Sequence, residues 1–218
     1  MTGRKRSQDE MPPHAKARSG RPRAGAPARR DAILDAALDL FIERGVGATT
    51  MSDVASRARA SKATLYKLFA DTDALFSAVL LREVERRGGG IVQALGDPDL
   101  ARALAAAANA MLDALEGRTI DLFRLVIAEA GRRPEVGRAF YDALVEASAK
   151  PTAERIARDL NISQDASRIA ALQFVGAVKE PLFYPKLMGV AIEADRRPIV
   201  ERAVTGVVTD WNAQSSTE

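Results

Sequence analysis

The amino-acid sequence predicts an all-α fold, and three observations lead to this prediction. Apolar residues recur at intervals of three and four from Ala28 almost to the end of the chain, which is the period of a helix that buries one face. No segment alternates apolar and polar residues over the length of a strand. Glycine, proline and N-capping residues divide the pattern into about nine or ten helices.

The first predicted helix carries an apolar stripe on one face and a row of acids on another, and it ends at Gly45. Like charges four residues apart on a helix are mildly unfavourable. We therefore expect solvent to cover the acidic row. Its members are Asp31, Asp35, Asp39 and Glu43.

Two short helices follow, separated by a connection that leaves room only for a tight turn. Thr50 is the predicted N-cap of the first, which covers 51–58, and Asp53 stands three residues later as in a capping box. Residues 59–60 form the turn, and the second short helix covers 61–67. Such a pair is typical of two helices that cross at a steep angle.

The later helices are longer, and glycine and proline mark their ends. Three consecutive glycines at 88–90 are expected to break the first of them. Pro151 is expected to kink or split another, and Pro181 and Pro185 should leave 180–190 irregular. The predicted helices cover 73–87, 98–116, 119–130, a stretch from Pro134, 163–179 with Ser163 as N-cap, and 196–212.

The composition excludes several classes of function. The chain has no cysteine, and its one histidine, His14, lies in a polar segment, so thiol or histidine catalysis and Cys/His metal sites are excluded. The longest uncharged stretches have ten residues, too short to span a bilayer, and the basic N-terminus lacks the apolar core of a secretory signal. We expect a cytoplasmic protein that has no cofactor, no metal and no membrane partner.

Positive charge is concentrated at the N-terminus. Residues 1–30 contain nine Lys/Arg and two acids, whereas the whole chain has a net charge of +3. Residues 1–27 also lack hydrophobic periodicity, so we expect a disordered basic arm on a mildly acidic body. A basic arm without an apolar face favours a nucleic-acid partner over a membrane. The alternative is a tail that only increases solubility.

The two short helices have the composition of a helix-turn-helix unit. Ala55 and Ala58 provide the small side chains that a close crossing needs, and Leu65 provides an apolar contact. The rest of the second helix is small, polar or cationic, as in a helix that enters the major groove of DNA. The alternative is an ordinary helical hairpin. The residues predicted to face DNA are Ser61, Lys62, Thr64, Tyr66 and Lys67.

Several stretches carry a resemblance to a known family; they are residues 36–45, Thr50, 54–55, Ala58, 61–62, 64–66, Phe69 and 74–76. With them, residues 28–81 resemble the DNA-binding domain of the TetR family of bacterial repressors. Residues 119–145 more weakly resemble one class of effector domain in that family. The resemblance implies a three-helix DNA-binding domain at 28–75, followed by a helical-bundle domain for ligand binding and dimerisation at 76–218.

The chain departs from the family pattern at three positions. Arg59 stands where the family usually has a turn glycine, and a positive φ there would cost about 1 kcal/mol. Ala63 replaces a common glycine on the second short helix. Thr72, between Asp71 and Asp73, stands where the family commonly has a lysine that contacts phosphate. We therefore do not expect that phosphate contact here, and the basic arm is expected to supply the missing charge.

Individual roles on DNA follow from residue chemistry. Thr50, at a helix N-terminus, is expected to offer its hydroxyl and amide to a phosphate, and the Tyr66 hydroxyl to contact another. A core position is the alternative for Tyr66. Arg21 and Arg23 lie in a Gly-Arg-Pro-Arg segment that resembles the core of an AT-hook, which places arginines in the minor groove. A plain linker is the alternative there.

The second half is expected to contain a dimer interface and an apolar ligand pocket, although the same residues could instead be plain core. Glu129 has two interpretations, an anchor for a cationic ligand or a partner of Arg132 or Arg133. The predicted interface residues are Ile169, Leu172, Gln173, Val175, Gly176, Val204, Val207, Val208 and Trp211. The predicted pocket residues are Met111, Phe123, Val126, Ile127, Glu129, Phe140, Tyr141 and Phe174.

These observations predict a ligand-responsive repressor that binds a palindromic DNA operator as a homodimer. The expected effector is a small apolar or amphipathic molecule. Two alternatives remain at this point. One is an activator or a broad chromosome-binding protein. The other is an enzyme or carrier whose helix-turn-helix is only structural, although the lack of usable His and Cys weakens it.

Overall fold

The computed structural model describes residues 25–211, and the predicted all-α fold is confirmed. Within this range two short π-helical segments, Val145–Ala149 and Gly206–Asp210, extend α7 and α10. The α-helices are α1 Ala26–Arg44, α2 Met51–Arg57, α3 Lys62–Leu68, α4 Thr72–Ala94, α5 Leu100–Asp113, α6 Thr119–Ala130, α7 Pro134–Leu144, α8 Lys150–Leu160, α9 Gln164–Leu187 and α10 Arg196–Thr205.

Local sequence patterns predicted several helix ends correctly. Thr50 and Ser163 are N-caps whose hydroxyls accept hydrogen bonds from the backbone three residues later. The helix that starts at Pro134 is not split near Pro151: it continues through the π-helical segment into α8, and Pro151 lies in the first turn of α8. The basic arm lies outside the described residues, except that residues 26 and 27 already belong to α1.

Two further predicted helix breaks are wrong. The glycines at 88–90 lie inside α4, and Gly88 is buried where a Cβ atom would come within 2.8 Å of the Cβ of Ala147. Packing against the π-helical segment therefore stabilises a stretch that has poor helix propensity. Pro181 and Pro185 both lie inside α9, which continues to Leu187 instead of becoming irregular after 179. Buried contacts, Leu182 among them, hold this end of α9 in place.

The acidic row of α1 is exposed to solvent, as expected, and it is also paired with arginines. The Glu43 carboxylate accepts two hydrogen bonds from Arg57 of α2, at 3.0 and 2.8 Å. Asp35 lies 2.7 Å from Arg82 of α4, and Asp39 is paired with Arg118, the N-cap residue of α6. The prediction of a solvated row is confirmed, since these side chains are 39–60% exposed, but their arginine partners were not predicted because they are distant in sequence. These pairs join α1 to the three helices that surround it.

Two hydrophobic cores organise the molecule, and α4 contributes to both. The first core contains α1, the interior sides of α2 and α3, and the N-terminal half of α4, including Phe76 packed edge-to-face on Phe41. It also takes in Val126 of α6 and Phe140 of α7. The second core contains α5, α8, α9, α10 and the C-terminal end of α4 around Ile91. In residues 25–211, no helix has the length and apolarity needed to span a membrane.

The glycines of α4 provide a matched test of this packing. Gly89→Ala should raise the free energy of unfolding by about 0.5–1 kcal/mol, since its Cβ meets nothing within 4 Å and alanine favours the helix. Gly88→Ala should lower it by about 1–3 kcal/mol, because the new methyl group overlaps Ala147. Urea unfolding of both variants gives the comparison. An equal increase in the free energy of unfolding of both variants would show that α4 does not pack closely at Gly88.

Candidate nucleic-acid interface and interior cavity

The crossing of α2 and α3 is formed by small and apolar residues, as predicted. Val54 and Leu65 are completely buried between the two helices and the first core. Ala55 is also buried, and its carbonyl accepts a hydrogen bond of 2.9 Å from the amide of Ala60 in the turn. Because this bond closes the turn on the crossing point, the orientation of α3 is fixed relative to α2.

The turn between these helices requires an unusual backbone conformation. Arg59 has a φ of 52°, in the left-handed region that favours glycine. The departure from the family pattern therefore occurs at a position that does need a positive φ. The Arg59 side chain is exposed, so the strain lies in the backbone and not in packing.

The outer face of α3 presents cations and a tyrosine to solvent. The Tyr66 side chain is 56% exposed, which rules out its interpretation as a core residue. Lys62 and Lys67 are exposed as well. At the start of the helix, Ser61 caps α3 by accepting a hydrogen bond of 3.1 Å from the amide of Thr64, and the two hydroxyl oxygens lie 2.8 Å apart. All five predicted residues thus lie on or at the start of one exposed helix.

Thr50 does not fit the role expected for it. Its hydroxyl donates to the Asp53 carboxylate at 2.6 Å, and its amide donates to the same carboxylate at 3.0 Å. These hydrogen bonds lower the pKa of Asp53, which therefore stays ionised. Both donors expected to bind a phosphate are engaged in the capping box. A phosphate at this point would have to displace an ionised carboxylate.

The acids at the start of α4 have structural partners. Asp71 is the N-cap of α4 and accepts a hydrogen bond of 2.7 Å from the amide of Ala74. Asp73 is paired with Arg133, whose guanidinium also donates to Glu129 at 2.6 Å and lies over the ring of Phe76. These pairs connect the start of α4 to the junction of α6 and α7. Of the two acids, Asp73 has a cationic partner, whereas Asp71 is bonded to a backbone amide.

The first turn of α1 indicates where the basic arm begins. Arg21 and Arg23 lie outside the described residues. Arg30, in the first turns of α1, has its guanidinium 5.6 Å from the ring centroid of Phe69, the residue that ends α3. The chain therefore enters α1 beside the C-terminal end of α3. An arm that precedes α1 starts next to the helix predicted to read DNA.

An interior cavity of about 60 Å³ lies where α4, α5, α6, α7 and α9 meet. Three of the predicted pocket residues, Met111, Phe123 and Phe140, line it. The volume has room for a few water molecules, far below the several hundred Å³ that drug-sized ligands occupy. A ligand of that size must therefore move the lining helices.

The other five predicted pocket residues lie elsewhere. Val126 belongs to the first core and Phe174 to the second. Ile127 and Tyr141 are 56% and 60% exposed. Glu129 is buried and paired with Arg133, the N-cap residue of α7, so the alternative interpretation of an ion pair with Arg132 or Arg133 is the correct one. Periodicity identified which helices are apolar but not which face of each lines the cavity.

Sequence reasoning missed the polar residues of the cavity. Lys179 of α9 lines it, and burial lowers the pKa of its ammonium group. Thr119 also lines it, and its buried hydroxyl has no hydrogen-bond partner in the described part of the chain. Glu83 and Arg87 of α4 complete this set. The sequence offered one indication of this cavity lysine: Lys179 directly follows a ten-residue uncharged stretch of α9.

Glu83 is buried and surrounded by arginines. Its carboxylate accepts hydrogen bonds from Arg82 at 2.8 Å and from Arg87 at 2.5 Å, and Arg86 is 3.4 Å away. Burial opposes ionisation, but the hydrogen bonds and charges of Arg87 and Arg82 outweigh it and lower the pKa of Glu83. Arg82 also bonds to the Asp31 carbonyl on α1. The charge cluster therefore links the cavity wall to the first helix.

The predicted dimer-interface residues divide into two groups. Val175, Val204 and Val207 are buried in the second core of the same subunit, so for them the alternative of packing within the subunit is the better description. The others are wholly or partly exposed along α9 and at the end of α10. They are Ile169, Leu172, Gln173, Gly176, Val208 and Trp211.

Comparisons with known proteins match both halves of the chain. Residues 33–79 match the family model described as bacterial regulatory proteins, tetR family, and residues 102–209 match the C-terminal domain of AefR-like transcriptional repressors. The HTH-type transcriptional activator FasR of Mycolicibacterium smegmatis is 32% identical over 149 residues, 67% of each chain. The HTH-type transcriptional repressor ComR of Escherichia coli is 42% identical over 57 residues, 26% of this chain and 27% of its own.

Solved structures share the fold over most of the chain. A TetR transcriptional regulator from Agrobacterium tumefaciens is 28% identical, with a TM-score of 0.64 over 88% of this chain and all of that one. The flavonoid-responsive regulator FrrA is also 28% identical, with a TM-score of 0.64 over 87% of this chain and 97% of its own. The similarity thus includes the helices around the cavity as well as α1–α3.

The positive φ in the turn gives a prediction about stability. Arg59→Gly should raise the free energy of unfolding by about 0.5–1 kcal/mol, because glycine adopts this conformation without strain. Asn161, with a φ of 53° at the end of α8, is the control. Asn161→Gly should give a smaller gain, since asparagine tolerates the left-handed region. A loss of stability in Arg59→Gly, measured by urea unfolding, would contradict the strain assigned to this turn.

Proposed function

We propose that this chain, which belongs to the tetR family of bacterial regulatory proteins, represses transcription as a homodimer that releases its DNA operator when a small molecule binds. The exposed face of α3 is the observation that carries the proposal. Lys62, Tyr66 and Lys67 project from a helix whose other side is fixed on α2. Such a helix fits the major groove.

The DNA contacts proposed for α3 are of two kinds. Tyr66 and one or both lysines contact phosphates, which gives affinity without sequence preference. Thr64, with Ser61 beside it, contacts a base edge or a thymine methyl group. The basic arm, including Arg21 and Arg23, adds minor-groove contacts. The position of Arg30 against the end of α3 supports these minor-groove contacts, because the arm then joins α1 close to the helix proposed to bind the DNA.

We propose that dimerisation uses the exposed apolar face of α9. Ile169 and Leu172 are 52% and 41% exposed, and Gly176 lies one turn further along the same helix. Val208 and Trp211, at the end of α10, extend this surface. Apolar residues of this size on adjacent helices favour burial against a second copy.

Ligand response is proposed to act through α4. The N-terminal half of this helix is part of the first core with α1–α3, and its C-terminal half lines the cavity. Because the cavity is small, a ligand must displace α4 or one of the helices facing it. A displacement of α4 moves the first core, and with it α3, so the distance between α3 of one subunit and α3 of the partner subunit changes. The similarity to FrrA, which is named as flavonoid-responsive, supports a response to a small molecule.

Repression is favoured over activation, because the C-terminal region matches a domain described for repressors. Activation is the second candidate, since FasR is named as an activator. Neither function involves catalysis. The proposed division of labour places DNA binding in residues 28–75 and ligand binding with dimerisation in 76–218.

Selection of DNA from a random duplex library by the full chain tests the proposal. The recovered sequences should share a near-palindromic site, because a two-fold dimer presents two copies of α3. The half-site centres should lie about 34–36 Å apart or a multiple of that spacing. Enrichment of a single unpaired half-site, protected by a monomer, would contradict the proposed dimer. Recovery of no shared sequence would contradict sequence-specific regulation.

Variants of α3 test the assigned contacts on the selected duplex. Tyr66→Phe and Lys62→Ala should each weaken binding by about 1 kcal/mol or more without unfolding the protein, because both side chains are exposed. Loss of a phosphate contact weakens binding to all sequences equally. Loss of a base contact costs about 1–3 kcal/mol at one position of the site.

Lys150→Ala is the control for these variants, since Lys150 is an exposed lysine on α8 that pairs with Glu146. Its affinity for the duplex should match that of the unmodified chain. Titrations by fluorescence anisotropy give the comparison. Unchanged affinity in both α3 variants would show that another surface reads DNA.

A further inference from the structure

Lys179 is the group in the cavity that most needs a partner. It lies in the C-terminal half of α9 and lines the cavity beside apolar residues such as Phe123. Within residues 25–211 no carboxylate forms an ion pair with it, and burial lowers the pKa of its ammonium group. Lys179 is half-buried, and a partly desolvated ammonium group without an anionic partner destabilises the folded chain, so an anionic partner would relieve that cost.

The acid already present in the cavity cannot serve as that partner. The carboxylate of Glu83 is held by Arg82 and Arg87, with Arg86 close by. Among the charged residues lining the cavity, Arg87 and Lys179 are cationic and Glu83 is anionic. The wall therefore carries one positive charge that its own residues do not neutralise.

A second polar group of the cavity also lacks a partner. Thr119, at the start of α6, is 96% buried, since its relative exposure is 4%, and its hydroxyl makes no hydrogen bond within the described chain. The other hydroxyl in the wall, that of Ser148, donates to the Leu144 carbonyl at 2.7 Å and is satisfied. Buried hydroxyls without a partner are uncommon, and they mark positions where a ligand atom or water completes the bonding.

We infer that the cavity binds an apolar molecule bearing a single anionic group, such as a carboxylate. The inference rests on the proposed ligand response and specifies the chemical class of the effector. Lys179 forms the ion pair with the anionic group, and Thr119 donates a hydrogen bond to it. The apolar part of the molecule packs among Val84, Met111, Phe123 and Phe140. The charge of Lys179 in a mostly apolar wall should discriminate strongly between anionic and neutral ligands, because a neutral ligand would leave that charge unpaired.

Matched ligands test this inference with the full chain. The probes are 1-naphthoate, n-octanoate and n-dodecanoate, each beside the alcohol and the primary ammonium compound of the same carbon skeleton. Calorimetric titration measures their binding. At least one carboxylate should bind about tenfold or more tightly than its alcohol, as expected for a charge-assisted contact. The ammonium compounds should bind more weakly still.

Two cavity variants separate a binding role from a structural one. Lys179→Met should bring the affinities of carboxylate and alcohol within about twofold of each other, and Thr119→Val should weaken carboxylate binding by about threefold. Both should raise the Tm by about 2–4 °C, because each removes an unsatisfied polar group. A structural role would instead lower the Tm. Lys150→Met, outside the cavity, should leave the carboxylate preference unchanged.

The outcomes distinguish this inference from the proposed function. Equal binding of alcohol and carboxylate, a preference retained in Lys179→Met, or binding of no carboxylate would overturn the anionic ligand class. Affinity for the selected duplex is measured on the same protein samples. If the chain binds that duplex but no carboxylate, only the ligand class fails. If it does not bind the duplex, the proposed regulatory function fails independently of the ligand result.

Discussion

The buried carboxylate of Glu83 is held ionised by arginines of its own helix, and one of them, Arg82, also binds α1 and so fixes how α4 lies against that helix. The residue is only 3% exposed, so removing its partners would leave a buried charge, at a cost of about 3–5 kcal/mol. Arg87 donates a hydrogen bond to the Glu83 carboxylate from the cavity side. Arg82 satisfies it from the other side and also binds Asp35 and the Asp31 carbonyl of α1. Rotating α4 would break the contacts of Arg82 with α1, whereas the pairs of Glu83 with Arg82 and Arg87 lie within α4 and would move with it.

This constraint explains how one helix serves both cores. α4 runs unbroken from its cap at Asp71 through the three glycines, because close packing at Gly88 compensates for their poor helix propensity. Its first half supports α1–α3, and its second half forms one wall of the cavity. The pair between Asp73 and Arg133 adds a second connection, from the start of α4 to α7. A movement of α4 at the cavity would therefore be transmitted through packed side chains to the first core, which also contains Leu65 of α3.

Features determined by nearby residues were predictable from the sequence, and features determined by distant ones were not. Thr50 and Ser163 cap helices through bonds to residues three positions away, so local patterns identified both. The helix-turn-helix was also predictable, because its pattern of small, apolar and capping residues lies within one short stretch of the sequence. The arginine partners of the α1 acids and the helical course through Pro181 depend on contacts far along the chain. Lys179 was missed for the same reason, because burial of one helix face depends on which helices cover it.

Filling the cavity by mutation tests the central claim, that occupancy of the cavity changes DNA affinity through α4. Ala114 lines the cavity, whereas Ala106 is an exposed residue on α5. The measurement is the affinity of Ala114→Phe and Ala106→Phe for the selected duplex, with circular dichroism to confirm that both fold. The account predicts at least about a tenfold loss in Ala114→Phe, which corresponds to a coupling of about 1.4 kcal/mol, and no change in Ala106→Phe. A folded Ala114→Phe variant that binds the duplex as tightly as the unmodified chain would contradict it.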